Sequence, residues 1–578
     1  MYQEFAIIAT ILITVWFIIQ SVMQRRRSVE FQRHAELLRI ARSLARTPMA
    51  AAQEDLSYLE RIRVAIREHP QGPLRYEGFP LISTSQPGTY YFPGVREARF
   101  EEARAAQSDA DMLCAAVLAV RKGWIDDWRV LEQNVRNISA PYHFRTALAS
   151  LPLNQITDRV VDLFAAMACH SSDLNAVKWG ILISGLRLDP HQEPWIPELA
   201  RHSEFTTYVC IVLQHARSVY PHATSDLLRL IPVTEGWGFF QVLNAVARDP
   251  GLAADPAISR ELFVHGVANG RSAAGDVART LVQACDIRAR LKDAENDPVL
   301  ARALFALISA LAGEGEANEQ LLLQLDDGES LVMAYLRLAR ASEGSIELIT
   351  AMHTLGGLLD KAPPSWSRRE ELFEQAGRVF MTRLTRKVLS DAIRNDHFRF
   401  AALQIAIEME MSELMPAIML DFHTRPHPVN VNAIGMLGSD EHLEELYALL
   451  LMGESQSMAV QESESEAGSD GHHDLEEIAR AVALHHIGKL NRPGVLETIK
   501  RHARHHTVMM RKAALTSLTH VQRWTLDAEC KELVRAGLND ADQHVRSAAQ
   551  AAAQYHTMHA SLNRPGSGTI PLTPGAWN

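Results

Sequence analysis

Histidine is the residue type in this sequence that most suggests a chemical role. The chain has 25 histidines, with clusters at His472-His473, His485-His486 and His502-x-x-His505-His506. On a helix, His502 and His506 would lie four residues apart on one face, where they could share a metal ion. Neither a cysteine nor an acid on a second helix completes that set at ligand spacing, and two ligands rarely hold a metal. We therefore predict a solvated helix end here, and no metal site in the chain.

The sequence patterns of common catalytic sites are absent. The chain contains no GxxxxGK[ST], GxGxxG, HExxH, GxSxG or EF-hand pattern. Phosphate-binding loops, zinc protease sites and hydrolase nucleophile elbows therefore have no support in the sequence. We expect no enzymatic activity, no cofactor and no small-molecule substrate. An active site assembled from residues far apart in the sequence is the alternative that stays open.

The cysteines indicate a reducing compartment. The five of them are scattered, their number is odd, and no CxxC pair occurs: Cys114, Cys169, Cys210, Cys285 and Cys530. Most lie inside apolar helical stretches. Buried, reduced thiols in a cytosolic environment account for this distribution.

The first residues predict a membrane anchor. Residues 5–23 are nineteen positions without a charge, a proline or a glycine, and a helix of that length spans roughly 28 Å, close to the thickness of a bilayer core. The predicted anchor residues are Phe5, Ile7, Ile11, Trp16, Phe17, Ile18 and Met23. A cleaved signal peptide is disfavoured because no positive charge precedes the run and no Ala-x-Ala site follows it. A buried helix of a globular domain would show a polar stripe.

The flanking charges predict the orientation of this anchor. Arg25, Arg26 and Arg27 follow it directly, and positive residues stay on the cytoplasmic side of a membrane. We expect a single-pass protein with its N-terminus outside and its bulk in the cytoplasm, in a bacterial inner membrane. These arginines could also contact anionic lipid headgroups.

The overall charge argues against nucleic acid as a partner. The net charge is −11, whereas nucleic-acid binding normally requires a basic face. A local basic patch at Arg501–Arg504 does not change this expectation.

The rest of the chain is predicted to be all-α. Residues 28–69 follow the anchor (1–27) as a charged juxtamembrane helix or stalk, and residues 70–94 form an extended segment rich in proline, glycine and aromatic residues. That segment either packs on the first helices or docks a partner. Divergent helical repeats are expected over 95–420 and clearer ones over 421–560, with a disordered acidic loop at 453–474 and a disordered tail at 561–578. Cap and stop signals such as Asp297-Pro298 and Gly313 separate the helices.

Internal similarity identifies the repeats. Met510-Arg511-Lys512-Ala513-Ala514 matches Val545-Arg546-Ser547-Ala548-Ala549 at an offset of 35 residues. A spacing of this order is typical of two-helix units that bury their apolar faces against neighbouring units. The sequence therefore predicts an elongated α-solenoid of antiparallel helical hairpins.

One stretch resembles a known family. Residues 539–549, NDADQHVRSAA, resemble the second-helix signature of HEAT repeats, clearest over 420–556. The resemblance implies roles for Asp540 and Asp542 in capping and bridging adjacent helices, and it implies that Arg511 and Arg546 face the next repeat. It also implies that the small side chains of Ala514 and Ala549, with Val545, permit close helix packing. Residues 95–420 mostly lack the Asp…Val-Arg pattern and could be another type of helical repeat.

The function we predict is that of a membrane-anchored scaffold or adaptor that binds partner proteins on the cytoplasmic side. The HEAT resemblance implies a curved protein-binding solenoid and not an enzyme. An accessory or regulatory subunit of a membrane enzyme, transport or secretion complex is the main alternative. A nucleic-acid-binding repeat protein is the weaker one.

Overall fold

The computed structural model describes most of the chain after residue 31. The described residues are 32–46, 56–74, 82–83, 90–99, 107–138, 151, 153–313, 321–323, 325, 327–395, 398–460, 470–490, 492–521, 524 and 527–562. Their regular structure is helical except for one antiparallel pair of two-residue strands, β1 (Ile82–Ser83) and β2 (Tyr90–Tyr91). The prediction of an all-helical chain is confirmed for this part, with the small hairpin as an addition inside the segment 70–94.

The predicted anchor and its flanking arginines lie outside the described residues. This applies to Phe5, Ile7, Ile11, Trp16, Phe17, Ile18 and Met23 and to Arg25, Arg26 and Arg27. Within the described part of the chain, no helix combines the length and the apolar character that crossing a bilayer requires.

The chain forms two compact units, and two helices contribute residues to both. Unit 1 comprises Met1–Ser342 and Gly357–Phe373, and unit 2 comprises Glu343–Gly356 and Glu374–Asn578. Residue 420, where the predicted division between divergent and clearer repeats lies, falls inside the helix Met415–Thr424.

The helices of unit 1 are short and follow each other closely. They are α1 (32–44), α2 (Tyr58–Glu68), α3 (Val95–Arg99), α4 (Gln107–Arg121), α5 (Trp128–Val135), α6 (Asp158–His170), α7 (Leu174–Gly185), α8 (Trp195–Ala200), α9 (Ser203–Ala216), α10 (Ala223–Arg229), α11 (Gly236–Ala247), α12 (Pro250–Ala254), α13 (Pro256–Gly270), α14 (Ala274–Ala284), α15 (Ile287–Asp293), α16 (Pro298–Gly313) and α17 (Gly328–Ala341). Helix α18 (Ile346–Asp360) and helix α19 (Arg369–Phe380) cross the boundary between the units.

Aspartates at the helix starts explain many of these boundaries. The Asp173 carboxylate accepts a hydrogen bond from the backbone N–H of Ala176 at 2.9 Å, and that of Asp297 accepts from Val299 and Leu300, each at 3.1 Å. These bonds satisfy N–H groups that have no partner inside the helix. The predicted start at Asp297-Pro298 and the predicted end at Gly313 are both confirmed by α16.

Unit 1 is built from rows of helices. Helices α6 and α7 form a hairpin, and α7, α9, α11, α14 and α16 pack side by side in that order. Gly180 permits the close approach within the hairpin, since a Cβ there would lie 2.7 Å from the Cβ of Ala168. Large side chains such as Trp179 and Tyr208 fill the core between the helices.

The predicted stalk is part of this unit. Helix α2 packs on α6 and α8, and its apolar residues Leu59 and Ile62 are buried. Helix α1 is fixed by an ion pair between Arg33 and Asp111 at 2.9 Å. The apolar face of α2 therefore has partners in unit 1, whereas most side chains of α1 are exposed, and the predicted stalk over 28–69 stays a prediction.

The described helices of unit 2 form five successive hairpins, and each hairpin contributes one helix to each of two rows. The helices are α20 (Arg383–Ile393), α21 (Arg399–Glu408), α22 (Met415–Thr424), α23 (Pro428–Leu437), α24 (Asp440–Val460), α25 (Asp470–Ile487), α26 (Pro493–His502), α27 (Val508–Ser517), α28 (Ala528–Leu538) and α29 (Gln543–Leu562). Each even-numbered helix forms a hairpin with the odd-numbered helix that follows it. The odd-numbered helices also pack on one another in sequence order. We call α21, α23, α25, α27 and α29 the inner row.

Helices extend into both ends of the predicted acidic loop. Helix α24 continues to Val460 and α25 begins at Asp470, whereas irregular structure was predicted over 453–474. Glutamate, glutamine, methionine and alanine favour a helix, and extending an existing helix costs little. Residues 461–469 lie outside the described residues. The last helix, α29, ends at Leu562, close to the predicted start of the tail at 561.

Candidate partner-binding surface

The two arginines that the 35-residue offset aligns make the same contact. The Arg511 side chain donates to the carbonyl oxygens of His505 and His506 at 3.1 and 2.8 Å. The Arg546 side chain donates to those of Asp540 and Ala541, both at 2.7 Å. In each repeat the guanidinium therefore closes the loop that precedes its own inner-row helix.

Asp540 joins two successive hairpins. Its carboxylate accepts two hydrogen bonds from Arg511 of the preceding repeat, at 2.9 and 3.0 Å. The same carboxylate accepts from the backbone N–H of Asp542 at 2.9 Å. The bond from Arg511 is the main reason that the pKa of Asp540 lies below its usual value. A bidentate arginine–carboxylate pair fixes orientation as well as distance.

The other residues of the repeat signature cap or pack. The Asp542 carboxylate accepts from the backbone N–H groups of His544 and Val545 at 2.7 and 3.2 Å, at the start of α29. Three side chains are buried between helices: Ala514, Val545 and Ala549. A Cβ on Gly537 would lie 2.9 Å from the Cβ of Ala549, so α28 and α29 are in close contact.

Each inner-row helix from α21 to α27 has a stripe of exposed or half-buried side chains. Each inner-row helix has its hairpin partner behind it and inner-row neighbours beside it, so its exposed residues face away from the rest of the unit. On α25, for example, Leu475, Ile478, Val482 and His485 share one side of the helix, at the spacing of a helical stripe, and Lys489 lies in the turn directly after the helix. We define the inner face by these stripes: Phe400, Gln404 and Ile407; Val429, Asn432 and Met436; Leu475, Ile478, Val482, His485 and Lys489; Val508, Lys512 and Thr516.

Large apolar side chains lie exposed along this face. Phe400 is 63% exposed and Met436 is 54% exposed, although both are large apolar residues. Leu475 and Val508 continue the series on the next two inner-row helices. Several exposed large apolar side chains with polar neighbours on one row of helices are typical of protein-binding surfaces.

A group of basic side chains lies on the same face. We call His485, Lys489, Lys512 and His520 the basic cluster. The rings of His485 and His520 are 5.4 Å apart. The Lys489 ammonium donates to the carbonyl oxygen of Gly435 at 2.6 Å, which ties α25 to α23.

The surroundings lower the pKa values of both histidines of the basic cluster. Burial, followed by the charges of Lys489 and Lys512, lowers the pKa of His485. Burial and the neighbouring His485 and Lys489 lower the pKa of His520 to about 4. A negative group placed against the cluster would oppose the effect of the lysines and favour protonation.

His486 shows how tightly these helices pack. Its Nε2 lies 2.9 Å from the Oδ1 atom of Asn432 on α23. Its ring occupies the space beside Gly435, where a Cβ would come within 2.1 Å of the ring. Burial lowers the pKa of His486 to about 3. The exposed stripes of α23 and α25 are therefore in fixed register.

Unit 1 contains a buried ionic group that the sequence did not reveal. The Lys178 ammonium on α7 donates to the carboxylates of Glu97 at 2.7 Å and Glu204 at 2.6 Å. The Tyr208 hydroxyl donates to Glu97 at 3.0 Å, and the Gly94 backbone N–H donates to Glu204 at 2.7 Å. The group fastens α3 to α7 and α9. The last residue of the segment 70–94, Gly94, is thereby attached to unit 1, whereas the packing of the aromatic rings of this segment stays a prediction.

Gly94 is required for this attachment. Its φ is +80°, in the left-handed region that favours glycine. A Cβ at this position would lie 2.6 Å from the carbonyl oxygen of Ser203. Any other residue would push α3 away from the start of α9.

The comparisons with known proteins identify no family. No protein-family model and no curated protein matches the chain. One similar solved chain comes from work on a phosphorylation switch that controls the interaction between cadherin and β-catenin. It has a TM-score of 0.28 and 13% sequence identity, covering 79% of this chain and 100% of that chain. An engineered protein is similar at a TM-score of 0.24 and 14% identity, covering 78% and 99%.

Both TM-scores are below 0.5, so these likenesses carry no argument about this chain. The stacked hairpins of unit 2 and the rows of unit 1 identify a helical-repeat fold on their own.

Proposed function

We propose that this chain is a helical-repeat adaptor that binds a partner protein through the inner face of unit 2 and is held at a membrane by residues 5–23. The observation that supports partner binding is the exposure of a large apolar side chain on each of four successive inner-row helices, together with the basic cluster. The contacts of Arg511, Asp540 and Arg546 support a HEAT-like type for these repeats.

The distribution of exposed apolar residues favours unit 2 as the binding unit. Among the described residues, most of the large apolar side chains that are exposed belong to unit 2, although it is the smaller unit. Stacked repeats hold such side chains on rigid helices, so that binding orders few additional groups.

The basic cluster defines the chemistry of the partner. We propose a segment that carries carboxylates next to large apolar side chains. The carboxylates would lie against Lys489 and Lys512, and the apolar side chains against Phe400 and Met436. Because a partner carboxylate favours protonated histidine, binding should tighten as the pH falls from 7.5 to 6.

The membrane part of the proposal depends on the sequence. The uncharged run 5–23 is long enough for a bilayer, and Arg25, Arg26 and Arg27 follow it. We propose that the repeats lie on the cytoplasmic side of a bacterial inner membrane. There the anchor would confine the search for a partner to the membrane surface.

Partner binding can be tested with charge reversal on the inner face. The full chain, solubilised in detergent, is used for proximity labelling and cross-linking beside the double variant Lys489→Glu/Lys512→Glu. We expect a defined protein to be lost with this variant, and its measured affinity to fall about tenfold or more because like charges now face each other.

Two control variants make this test specific. Lys122→Glu/Lys292→Glu introduces the same charge change at exposed positions of unit 1 and should leave binding unchanged. Phe400→Ala/Met436→Ala should weaken binding, whereas Val219→Ala/Val299→Ala, at exposed apolar positions of unit 1, should not. Equal recovery of every partner with the inner-face variants and their controls would contradict the proposed surface.

The anchor requires a separate experiment. The full chain should sediment with membranes and resist extraction by alkaline carbonate, and deletion of residues 5–23 should release it. A full-length chain that stays in the supernatant would refute the membrane part of the proposal alone. Recovery of an integral membrane protein that depends on residues 5–23, and not on the inner face, would favour an accessory subunit of a membrane complex.

A further inference from the structure

Two histidines and two aspartates meet in unit 1, in a cluster that the sequence analysis missed. Asp189 and His191 lie in the turn after α7, within Asp189-Pro190-His191. His222 is the residue directly before α10, and Asp226 lies four residues later, one helical turn into α10. We call these four residues the His–Asp cluster.

The side chains of the cluster are already in contact. Nδ1 of His191 lies 3.1 and 3.2 Å from the two carboxylate oxygens of Asp226. Nε2 of His222 lies 2.7 Å from Oδ1 of Asp189. The two imidazole rings are 4.5 Å apart. Ligand atoms of His191, His222 and Asp226 all lie within 4.8 Å of one another.

The backbone fixes these positions. Oδ1 of Asp189 accepts from the backbone N–H of His191 at 3.1 Å, which shapes the turn. The N–H of Asp226 donates to the carbonyl of His222 at 3.0 Å, in the first turn of α10. The two carboxylates are each 11% exposed, whereas the His191 side chain is 48% exposed. One side of the cluster is therefore open to a solvent ion.

We propose that His191, His222 and Asp226 bind a Zn²⁺ ion. Two imidazoles with carboxylate oxygens form a donor set that suits Zn²⁺, whereas Ca²⁺ and Mg²⁺ prefer oxygen ligands alone. In a tetrahedral site with ligands about 2.0–2.1 Å from the metal, the ligand atoms are about 3.3 Å apart. The separation of His191 from Asp226 already has this size.

Asp189 supports the site. Metal-binding histidines usually contact a carboxylate with the ring nitrogen that does not bind the metal, and this contact orients the ring. The contact between Asp189 and His222 is of that kind. With Asp226, Asp189 also balances the charge of the ion.

Arg229 competes with the ion. Its guanidinium lies 3.2 Å from Oδ1 of Asp226, and its side chain is 68% exposed. The arginine can turn into solvent when a cation replaces it. Removal of Arg229 should therefore strengthen metal binding, which a purely structural set of His–Asp hydrogen bonds does not predict.

Zinc binding is tested on the full-length protein in detergent, after treatment with EDTA. The chain has 25 histidines, so the measurement is the number of equivalents bound and not binding alone. Isothermal titration with Zn²⁺ and absorption spectra with Co²⁺ are compared for the wild type and His191→Ala/His222→Ala. We expect the variant to lose one equivalent and its Co²⁺ absorption band.

Matched variants separate a metal site from a structural contact. His215→Ala removes an exposed histidine of α9 and should change nothing. Asp189→Asn should weaken this equivalent by about 10–100-fold, and Arg229→Ala should tighten it. Circular dichroism shows that each variant is folded.

Equal numbers of Co²⁺ equivalents in the wild type and the double histidine variant would overturn the proposal. So would a melting temperature of unit 1 that Zn²⁺ leaves unchanged in the wild type, because an ion that binds only the folded state must stabilise it. Neither result affects the proposed partner surface, which lies in unit 2.

Discussion

The Lys178 group of unit 1 and the Arg511–Asp540 pair of unit 2 differ in their exposure to solvent. In unit 1, Lys178 and the carboxylates of Glu97 and Glu204 are at most 4% exposed. In unit 2, Arg511 and Asp540 are 19% and 15% exposed, and the arginine also bonds to backbone carbonyls. Both groups join elements from different parts of the chain, but only the first is sealed from water.

This difference determines what the loss of each group costs. When two charges are buried, their mutual attraction compensates for the hydration that each has lost. Removal of one charge therefore leaves the other buried and uncompensated. A pair in contact with solvent can exchange its partner for water. Burial disfavours the charged form of Lys178, but Glu204 and Glu97 outweigh it and raise its pKa. The Lys178 group should therefore be more sensitive to the loss of a single charge than the Arg511–Asp540 pair.

The largest effect is expected for Lys178→Met. Because Glu97 and Glu204 would remain buried without their cation, unit 1 should lose about 3–5 kcal/mol of stability. Native-state hydrogen exchange in peptides of α7 and α9 measures this loss. The exposed Lys122→Met is the matched control. A loss below about 1 kcal/mol would show that water reaches the group, and the contrast between the units would disappear.

The second effect tests close packing in unit 2. Gly435→Ala places a Cβ about 2.1 Å from the buried ring of His486, so the ring or α23 must move. Such overpacking typically costs about 1–3 kcal/mol. Gly377→Ala is the control, because nothing lies within 4 Å of its Cβ, and there alanine should stabilise the helix slightly. Equal stabilities in denaturant unfolding would mean that the inner row is loosely packed.

The third effect concerns acid, and it compares the buried His202 of unit 1 with the buried His486 of unit 2. Burial lowers the pKa of His202 in unit 1 to about 3, and that of His486 in unit 2 to about 3. In the unfolded chain each of these histidines takes up a proton near about pH 6.5, whereas in the folded chain it stays neutral at that pH. The stabilisation that each buried neutral histidine provides is therefore complete above about pH 6.5. It declines as the pH falls toward 3, by about 1–2 kcal/mol per histidine at pH 5.

His202→Gln and His486→Gln should each flatten the pH dependence of exchange in their own unit. The exposed His215→Gln serves as the control. If the slope of stability against pH is unchanged in either variant, that histidine becomes protonated inside the folded unit.

The smallest effect is expected for Asp540→Asn. Loss of the Arg511–Asp540 pair, which is partly exposed to solvent, should lower the free energy of unfolding by about 1 kcal/mol. The destabilisation should be confined to the last two hairpins. Because the pKa of Asp540 is lowered, its contribution is complete above the unfolded pKa and disappears as the pH falls through the folded one. Arg546→Ala, which removes bonds to carbonyls only, is the comparison. A loss as large as that for Lys178→Met would mean that exposure does not separate the two kinds of pair.

The sequence predicted what is local and repeated. The offset that aligns Arg511 with Arg546, the cap at Asp297 and the end at Gly313 all depend on residues close together in the chain. The partners of Lys178 lie 81 and 26 positions away, and no spacing rule joins them. Asp189 and Asp226 belong to two short patterns that become one cluster only when the turn after α7 meets the start of α10. The helical ends of the acidic segment were missed because composition is a weak guide to where a helix stops.

The order of stacking in unit 2 has a consequence for how it comes apart. Each hairpin rests on those beside it, and in the described part of the chain α29 packs on α27 and α28 at the end of the series. Unfolding should start at α29 and proceed toward the preceding hairpins one hairpin at a time. Calorimetry would then record a broad transition, with a van't Hoff enthalpy below the calorimetric one. A protease would trim the unit from its C-terminal side before it reached the hairpins that carry Phe400 and Met436.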